Sequence, residues 1–187
     1  MTTAPELTVN VRELLRSPGS HRELHLREPL SDVRTPVAEV AGEAPISIDG
    51  RIENVVDGLL VTAEITAPIR MECARCLTEV RDELKVDVQE LFARSPDEAE
   101  EEGYAVLPGD VLPLDTMVRD ALVLAFPALP RCRPDCAGLC PTCGADRNVT
   151  DCGHGDTVAD VRWEPLGALR AALANSREDN TDARPEA

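Results

Sequence analysis

The strongest regularity in the chain is period-two alternation of apolar and polar positions. Ile46, Ile48, Gly50 and Ile52 alternate with Ser47, Asp49, Arg51 and Glu53, and Asp57-Gly58 follows as a turn signal. Leu59, Val61, Ala63, Ile65, Ala67 and Ile69 then alternate with mostly polar neighbours. In a third run Val80, Leu84, Val86 and Val88 fall on one side, and Arg81, Glu83, Lys85, Asp87 and Gln89 on the other. Successive side chains of an extended chain point to opposite faces, so each run predicts a half-buried antiparallel strand. Three such runs in succession predict a meander, with Cys73-Ala74-Arg75-Cys76 in the turn between the second and third.

Further on, the period lengthens. Asp115 is predicted to cap a helix running to about Ala125, with Leu114, Val118, Leu122 and Ala125 on one face and Met117, Ala121 and Leu124 broadening it. Pro127 and Pro130 end it. This helix is expected to lie across the apolar face of the sheet and to deliver the chain to Cys132 near the CxxC turn. The predicted fold is α+β: an antiparallel β-sheet meander with a covering helix and a C-terminal Cys-rich zinc-binding module.

The remaining segments carry weaker patterns. Val9 to Leu15 reads as a short strand or helix, punctuated by Ser17-Pro18-Gly19. Residues 95–103, SPDEAEEEG, read as a solvated acidic connector, and Tyr104 to Leu107 as one more short strand. A short helix is predicted from Pro165 through Leu173, and residues 175–187 lack an apolar pattern and are expected to be disordered. The domains expected are a sheet-plus-helix domain over 1–130, a Cys-rich module with its short helix over 131–174, and a tail over 175–187.

Composition changes the picture in two ways. With two Phe, one Tyr and one Trp among 187 residues, the core has to be built from Val, Leu, Ile and Ala. A modest core gains most from a metal staple, about 10–16 kcal/mol apparent per structural zinc. The formal charge of −16, from 19 basic and 35 acidic residues, argues against a large phosphate-binding face; it would attract a basic protein as partner, or serve only to keep the protein soluble. A local cationic patch of Arg131, Arg133 and Arg147 is the alternative, and would suit direct RNA contact. The start, MTTAPELTVNV, lacks a signal pattern, and Ala121 to Phe126, the longest strongly apolar stretch, is too short to cross a bilayer. A soluble, cytoplasmic protein is expected, and in that reducing compartment clustered cysteines read as metal ligands rather than disulfides.

Cysteine spacing carries the chemistry. Cys132, Cys136, Cys140, Cys143 and Cys152 cluster with His154, while Cys73 and Cys76 stand apart as a CxxC pair. Seven thiols and one imidazole make two tetrahedral sets of four, and Zn²⁺ takes four such ligands in closed structural sites. Cys140-Pro-Thr-Cys143-Gly144 has the form of a zinc knuckle, which Cys152 and His154 complete; the competing assignment gives Cys136 the fourth place and leaves His154 on the surface. Cys73 and Cys76 are then matched with Cys132 and Cys136, in a clamp between the strand turn and the end of the helix. A redox dithiol at Cys73 and Cys76 is the other reading, although thioredoxin-like motifs open a helix in a βαβ setting rather than join two strands. His21 and His25 read as surface residues. No GxSxG, P-loop or HExxH motif is present, and no catalytic residue or small-molecule substrate is predicted.

The order MECARCL, LPRCRPDCAGLCPTCGADRN, DCGH and DVRWEPLGAL resembles the YceD family of bacterial and plastid proteins, described as the large ribosomal RNA subunit accumulation protein. The resemblance runs from about residue 8 to 173, and is most specific in CxRCL at Cys73 to Leu77 and CxGLCPxCGxxxN at Cys136 to Asn148. It implies a non-enzymatic, cytoplasmic ribosome biogenesis factor needed for large-subunit (23S) rRNA accumulation or processing. Taken with the net charge of −16, it leads to a basic large-subunit ribosomal protein or a pre-50S particle as the expected partner. His154 stands where related chains often carry cysteine, a change that still permits zinc.

Overall fold

The computed structural model describes residues 7–42, 45–94, 97, 103–106, 108–154, 162 and 166–167. The chain divides into two compact units, 1–138 and 139–187. The first contains β1 (Thr8–Asn10), α1 (Arg12–Leu15), β2 (His21–Glu28), β3 (Ala38–Val40), β4 (Ile46–Val55), β5 (Gly58–Glu72), β6 (Glu79–Ala93), β7 (Tyr104–Ala105), β8 (Val111–Pro113) and α2 (Asp115–Ala125).

The three predicted strands are β4, β5 and β6, antiparallel neighbours in chain order. The sheet extends beyond them. β2 joins the outer side of β4, β3 pairs with the far end of β5, and β7 pairs with β6 in parallel, so the main sheet is mixed rather than purely antiparallel. A separate two-stranded sheet joins β1 to β8. The Val9 to Leu15 segment holds both a short strand and a short helix, and Tyr104 to Leu107 contributes β7, with Leu107 outside the described residues.

Alternation decides which face is buried. Leu59, Val61, Ala63, Ile65, Ala67, Ile69 and Met71 of β5 all point into the core, joined by Ile46, Ile48 and Ile52 of β4 and Val88 and Phe92 of β6. Gly50 holds the same face at its pairing with Ala63, where a Cβ would meet the Thr62 carbonyl oxygen and come within 2.5 Å of Ala63 Cα. The strands approach too closely there for any side chain. The one buried polar residue among those described, Asn54, donates to the Leu14 carbonyl at 2.6 Å and accepts from Arg94 at 2.9 Å. It thereby ties α1 to the end of β4 with its hydrogen-bonding groups satisfied.

Helix α2 places Met117, Val118 and Leu122 in the same core. Two details differ from the sequence expectation. The N-cap is Leu114 rather than Asp115; Asp115 opens the helix and pairs with Arg119 at 2.7 Å, one turn on. Leu124, expected on the apolar face, is 86 % exposed, because Leu114, Val118 and Leu122 already fill the buried stripe. After Phe126 the chain returns to the β5–β6 turn, where the Pro130 carbonyl accepts the Ala74 N–H at 2.8 Å. No helix among the described residues is long and apolar enough to cross a membrane. Of the acidic connector only Asp97 and Gly103 are described, the short helix predicted from Pro165 falls largely outside the described residues, and the 175–187 tail lies wholly outside them.

Candidate metal centres

Two turns of the same build carry the first cysteine pair of each centre. In the β5–β6 turn, Cys73 N–H donates to the Thr78 carbonyl at 2.9 Å and Leu77 N–H to the Cys73 carbonyl at 2.9 Å. In the second unit, Cys140 N–H donates to Ala145 at 2.8 Å and Gly144 N–H to Cys140 at 2.9 Å. The residue after the second cysteine has positive φ in both, +60° at Leu77 and +73° at Gly144. This closure folds backbone N–H groups inward onto the first thiol of the turn.

The electrostatic consequence is the same in both. Cys73 is held down to about 6 by backbone N–H groups, first that of Cys132 and then that of Arg75, against an opposing push from burial. Cys140 is likewise held down to about 6, by the N–H groups of Cys143 and Thr142. Partner thiols move the other way. Burial, then the neighbouring thiols of Cys136, Cys76 and Cys73, push Cys132 up to about 12. The Cys132 residue is exposed as a whole, but its sulfur lies among the other three. At Cys143 the Ala145 N–H lowers the thiol, and Cys140, burial and Cys152 outweigh it, so the net shift is upward. One thiolate per group is therefore favoured, and further ionisation is opposed until a cation enters.

The structure gathers Cys73, Cys76, Cys132 and Cys136 into one group and Cys140, Cys143, Cys152 and His154 into another, with the ligand atoms of each within 4.8 Å of one another. Cys136 lies with the first group, its sulfur 3.8 Å from that of Cys73, and the Cys76 and Cys132 sulfurs are 3.7 Å apart. A tetrahedron with metal–sulfur bonds of about 2.3 Å has edges of about 3.8 Å, so these separations suit a single Zn²⁺-sized ion. None of the seven cysteines is joined in a disulfide. Both groups could hold a metal ion, and their soft donors are consistent with zinc.

Two supports escaped the sequence reading. Arg75, between the first two cysteines, donates from Nη1 to the Cys136 carbonyl at 2.5 Å and so binds the two halves of the first group together. Gly138, with φ +74°, lies against Arg75, where a Cβ would stand 3.0 Å from the Arg75 carbonyl oxygen. Counting ligands was enough to expect the clamp between these segments, but nothing local pointed to the Arg75 bridge or to the contact at Gly138. Of the candidate RNA-binding arginines, Arg131 and Arg133 are exposed, Arg133 with Asp135 at 3.6 Å, and Arg147 is half-buried. His21 and His25 are exposed on β2, and His25 Nδ1 lies 2.8 Å from Asp49.

Comparison with known proteins agrees with these motifs. A family model described as large ribosomal RNA subunit accumulation protein YceD matches residues 61–170. Uncharacterized proteins of Mycobacterium bovis and of Mycobacterium tuberculosis strain H37Rv are each 37% identical over 170 residues, spanning 87% of this chain and 81% of their own length. An uncharacterized protein of Mycobacterium leprae is 30% identical over 182 residues, spanning 95% of this chain and 83% of its own length. No solved structure matches. The family match covers all eight residues of both groups and more than half of the chain, which therefore belongs to the YceD family.

Proposed function

We propose that this chain is a non-enzymatic, cytoplasmic ribosome biogenesis factor that supports large-subunit (23S) rRNA accumulation or processing by holding a basic large-subunit ribosomal protein or a pre-50S particle. The observation that carries the reading is the family match over residues 61–170. A formal charge of −16 supports the choice of a basic partner, because such a surface attracts a cationic protein and repels naked RNA.

In this reading each cysteine group holds one zinc. Cys73, Cys76, Cys132 and Cys136 would close the first site, and Cys140, Cys143, Cys152 and His154 the second. Zinc would supply a fixed cross-link. Four protein donors leave no open position for a substrate, so the role assigned is structural. Cys132, Arg75 and Cys76 would orient the Cys73 thiolate, and Cys143 and Thr142 the Cys140 thiolate, through their backbone N–H groups.

The test is depletion of the protein followed by profiling of rRNA and ribosomal subunits. Loss of large-subunit rRNA relative to small is expected, and an unchanged large subunit would overturn the reading. A binding arm with the full zinc-loaded chain separates the partners. Purified basic large-subunit ribosomal proteins should bind, whereas salt-sensitive binding to naked rRNA alone would replace the protein-holding mechanism with direct RNA recognition.

A further inference from the structure

The outer edge of β6 is the longest unpaired strand edge among the described residues. β7 occupies only Phe92 and Ala93, so, among the described residues, the span 79–91 has β5 on one side and no strand on the other. Such an edge presents a row of free N–H and C=O groups that invites another strand. Beside it runs an incomplete apolar row. Val88 and Phe92 are buried, whereas Val80, Leu84 and Val86 on the same face are only half-buried. Opposite them, Met71, Ala67 and Ile65 of β5 are fully in the core.

The register adds a charge argument. Asp49 of β4 lies opposite Glu64 of β5, and Glu64 lies opposite Asp87 of β6, so three carboxylates form one row across the solvent face. Like charges directly opposite each other on adjacent strands are destabilising. The row has a hydrogen bond from His25 to Asp49 at the β4 end, and Glu64 and Asp87 have no cation partner among the described residues. It stops at the open edge. Along that edge Glu79, Asp82, Glu83, Asp87 and Glu90 outnumber Arg81 and Lys85, which pair with Glu79 and Glu83.

We propose that the β6 edge from Glu79 to Leu91 is the docking edge for an extended lysine- or arginine-rich segment of a partner protein. That segment adds as a strand, sets a cation opposite Asp87 at the end of the carboxylate row, and lays alternate apolar side chains over the Val80, Leu84 and Val86 strip. Main-chain hydrogen bonds supply affinity and the alternate side chains supply selectivity. The same charges disfavour other occupants. A second copy of β6 would bring its own net negative edge, with five carboxylates to two cations over 79–91, and residues 155–187 of this chain carry more carboxylates than arginines. The inference rests on the basic-partner reading above and locates it.

The probe is a short synthetic peptide alternating lysine with valine, titrated into the full zinc-loaded chain, with amide hydrogen exchange as readout. Binding with new protection confined to 79–91 is expected. Asp87→Lys combined with Glu90→Lys should weaken binding about tenfold and leave thermal stability equal or higher, since the Glu64–Asp87 repulsion is relieved. The matching glutamate–valine peptide should then prefer the variant. N-methylation of every second amide of the lysine peptide should abolish binding; retained affinity would mean unspecific charge attraction and overturn the proposal. Protection on β2 instead, self-association that protects β6, or β6 amides that lose protection when residues 155–187 are removed would each overturn it too. If purified basic ribosomal proteins bind the charge-reversed variant as well as the native chain, the edge assignment fails while the broader reading stands. If none binds either form, the broader reading itself fails.

Discussion

Leu77 and Gly144 occupy the same place in two turns of the same design. Each follows the second cysteine of a CxxC pair, each has positive φ, and each donates its N–H to the carbonyl of the first cysteine at 2.9 Å. Glycine takes this conformation without steric cost, whereas leucine sets its Cβ against its own backbone at a cost of about 1–2 kcal/mol. Leu77 is 62 % exposed, so little packing offsets that cost. Leu77→Gly should therefore leave the zinc-loaded protein as stable as before or raise it by up to about 1 kcal/mol. Gly144→Ala should cost about 1 kcal/mol or more. Thermal unfolding of both variants checks the pair, and a clear loss in Leu77→Gly would mean that the leucine side chain itself is needed.

Metal content should separate the two centres. Elemental analysis is expected to find two zincs per native chain and one in Cys152→Ser. The Cys152→Ser protein should keep the sheet's circular dichroism signal, because its missing site lies in the second unit. Cys73→Ser should lose the other zinc and be far less stable, since that site ties the β5–β6 turn to a segment 63 residues on. One zinc in the native chain would remove the two-site assignment. His154→Cys should retain full metal.

Thiolate absorbance of the reduced, metal-free chain should show an early step near pH 6 from Cys73 and Cys140, well below an ordinary thiol. Because their folded values are depressed from 9.0, the stability they contribute is fully present above about pH 9 and is lost as pH falls through about 6. Cys132 acts in the opposite sense: its value is raised from 9.0 to about 12, so its contribution weakens as pH climbs through that interval. Cys73→Ser and Cys140→Ser should each remove half of the early step. A single transition near 9 in the native chain would contradict the backbone N–H account.

Asn54 offers a test of the join between α1 and the sheet. Asn54→Leu removes the donor to the Leu14 carbonyl and the acceptor for Arg94, and should cost about 2–4 kcal/mol in denaturant unfolding. Asn54→Asp keeps an acceptor for Arg94 but sets an oxygen against the Leu14 carbonyl, so it should also destabilise. A neutral Asn54→Leu would show that water replaces both contacts.

β4, β5, β6 and most of α2 were legible because their periodicity is a local property of consecutive side chains. β2 was not. Of its eight residues only Leu24 is buried, and an edge strand so rich in charge carries almost no period-two signal. β3 and β8 span three residues each, too short for any periodicity. Leu124 was misplaced because helical spacing alone cannot say how wide the buried stripe is.

The chemistry divides in the same way. Sequence by itself determined the donor types, their CxxC spacing and the motifs of the YceD family, since all of these are written in adjacent residues. Only the tertiary structure decided that Cys136 sits beside Cys73, that Arg75 bridges to the Cys136 carbonyl, and that Asp49, Glu64 and Asp87 share one row. Alternation tells each residue which face it joins. Which residue stands opposite depends on strand register and on closing long loops, and those are set by non-local packing that no short window of sequence contains.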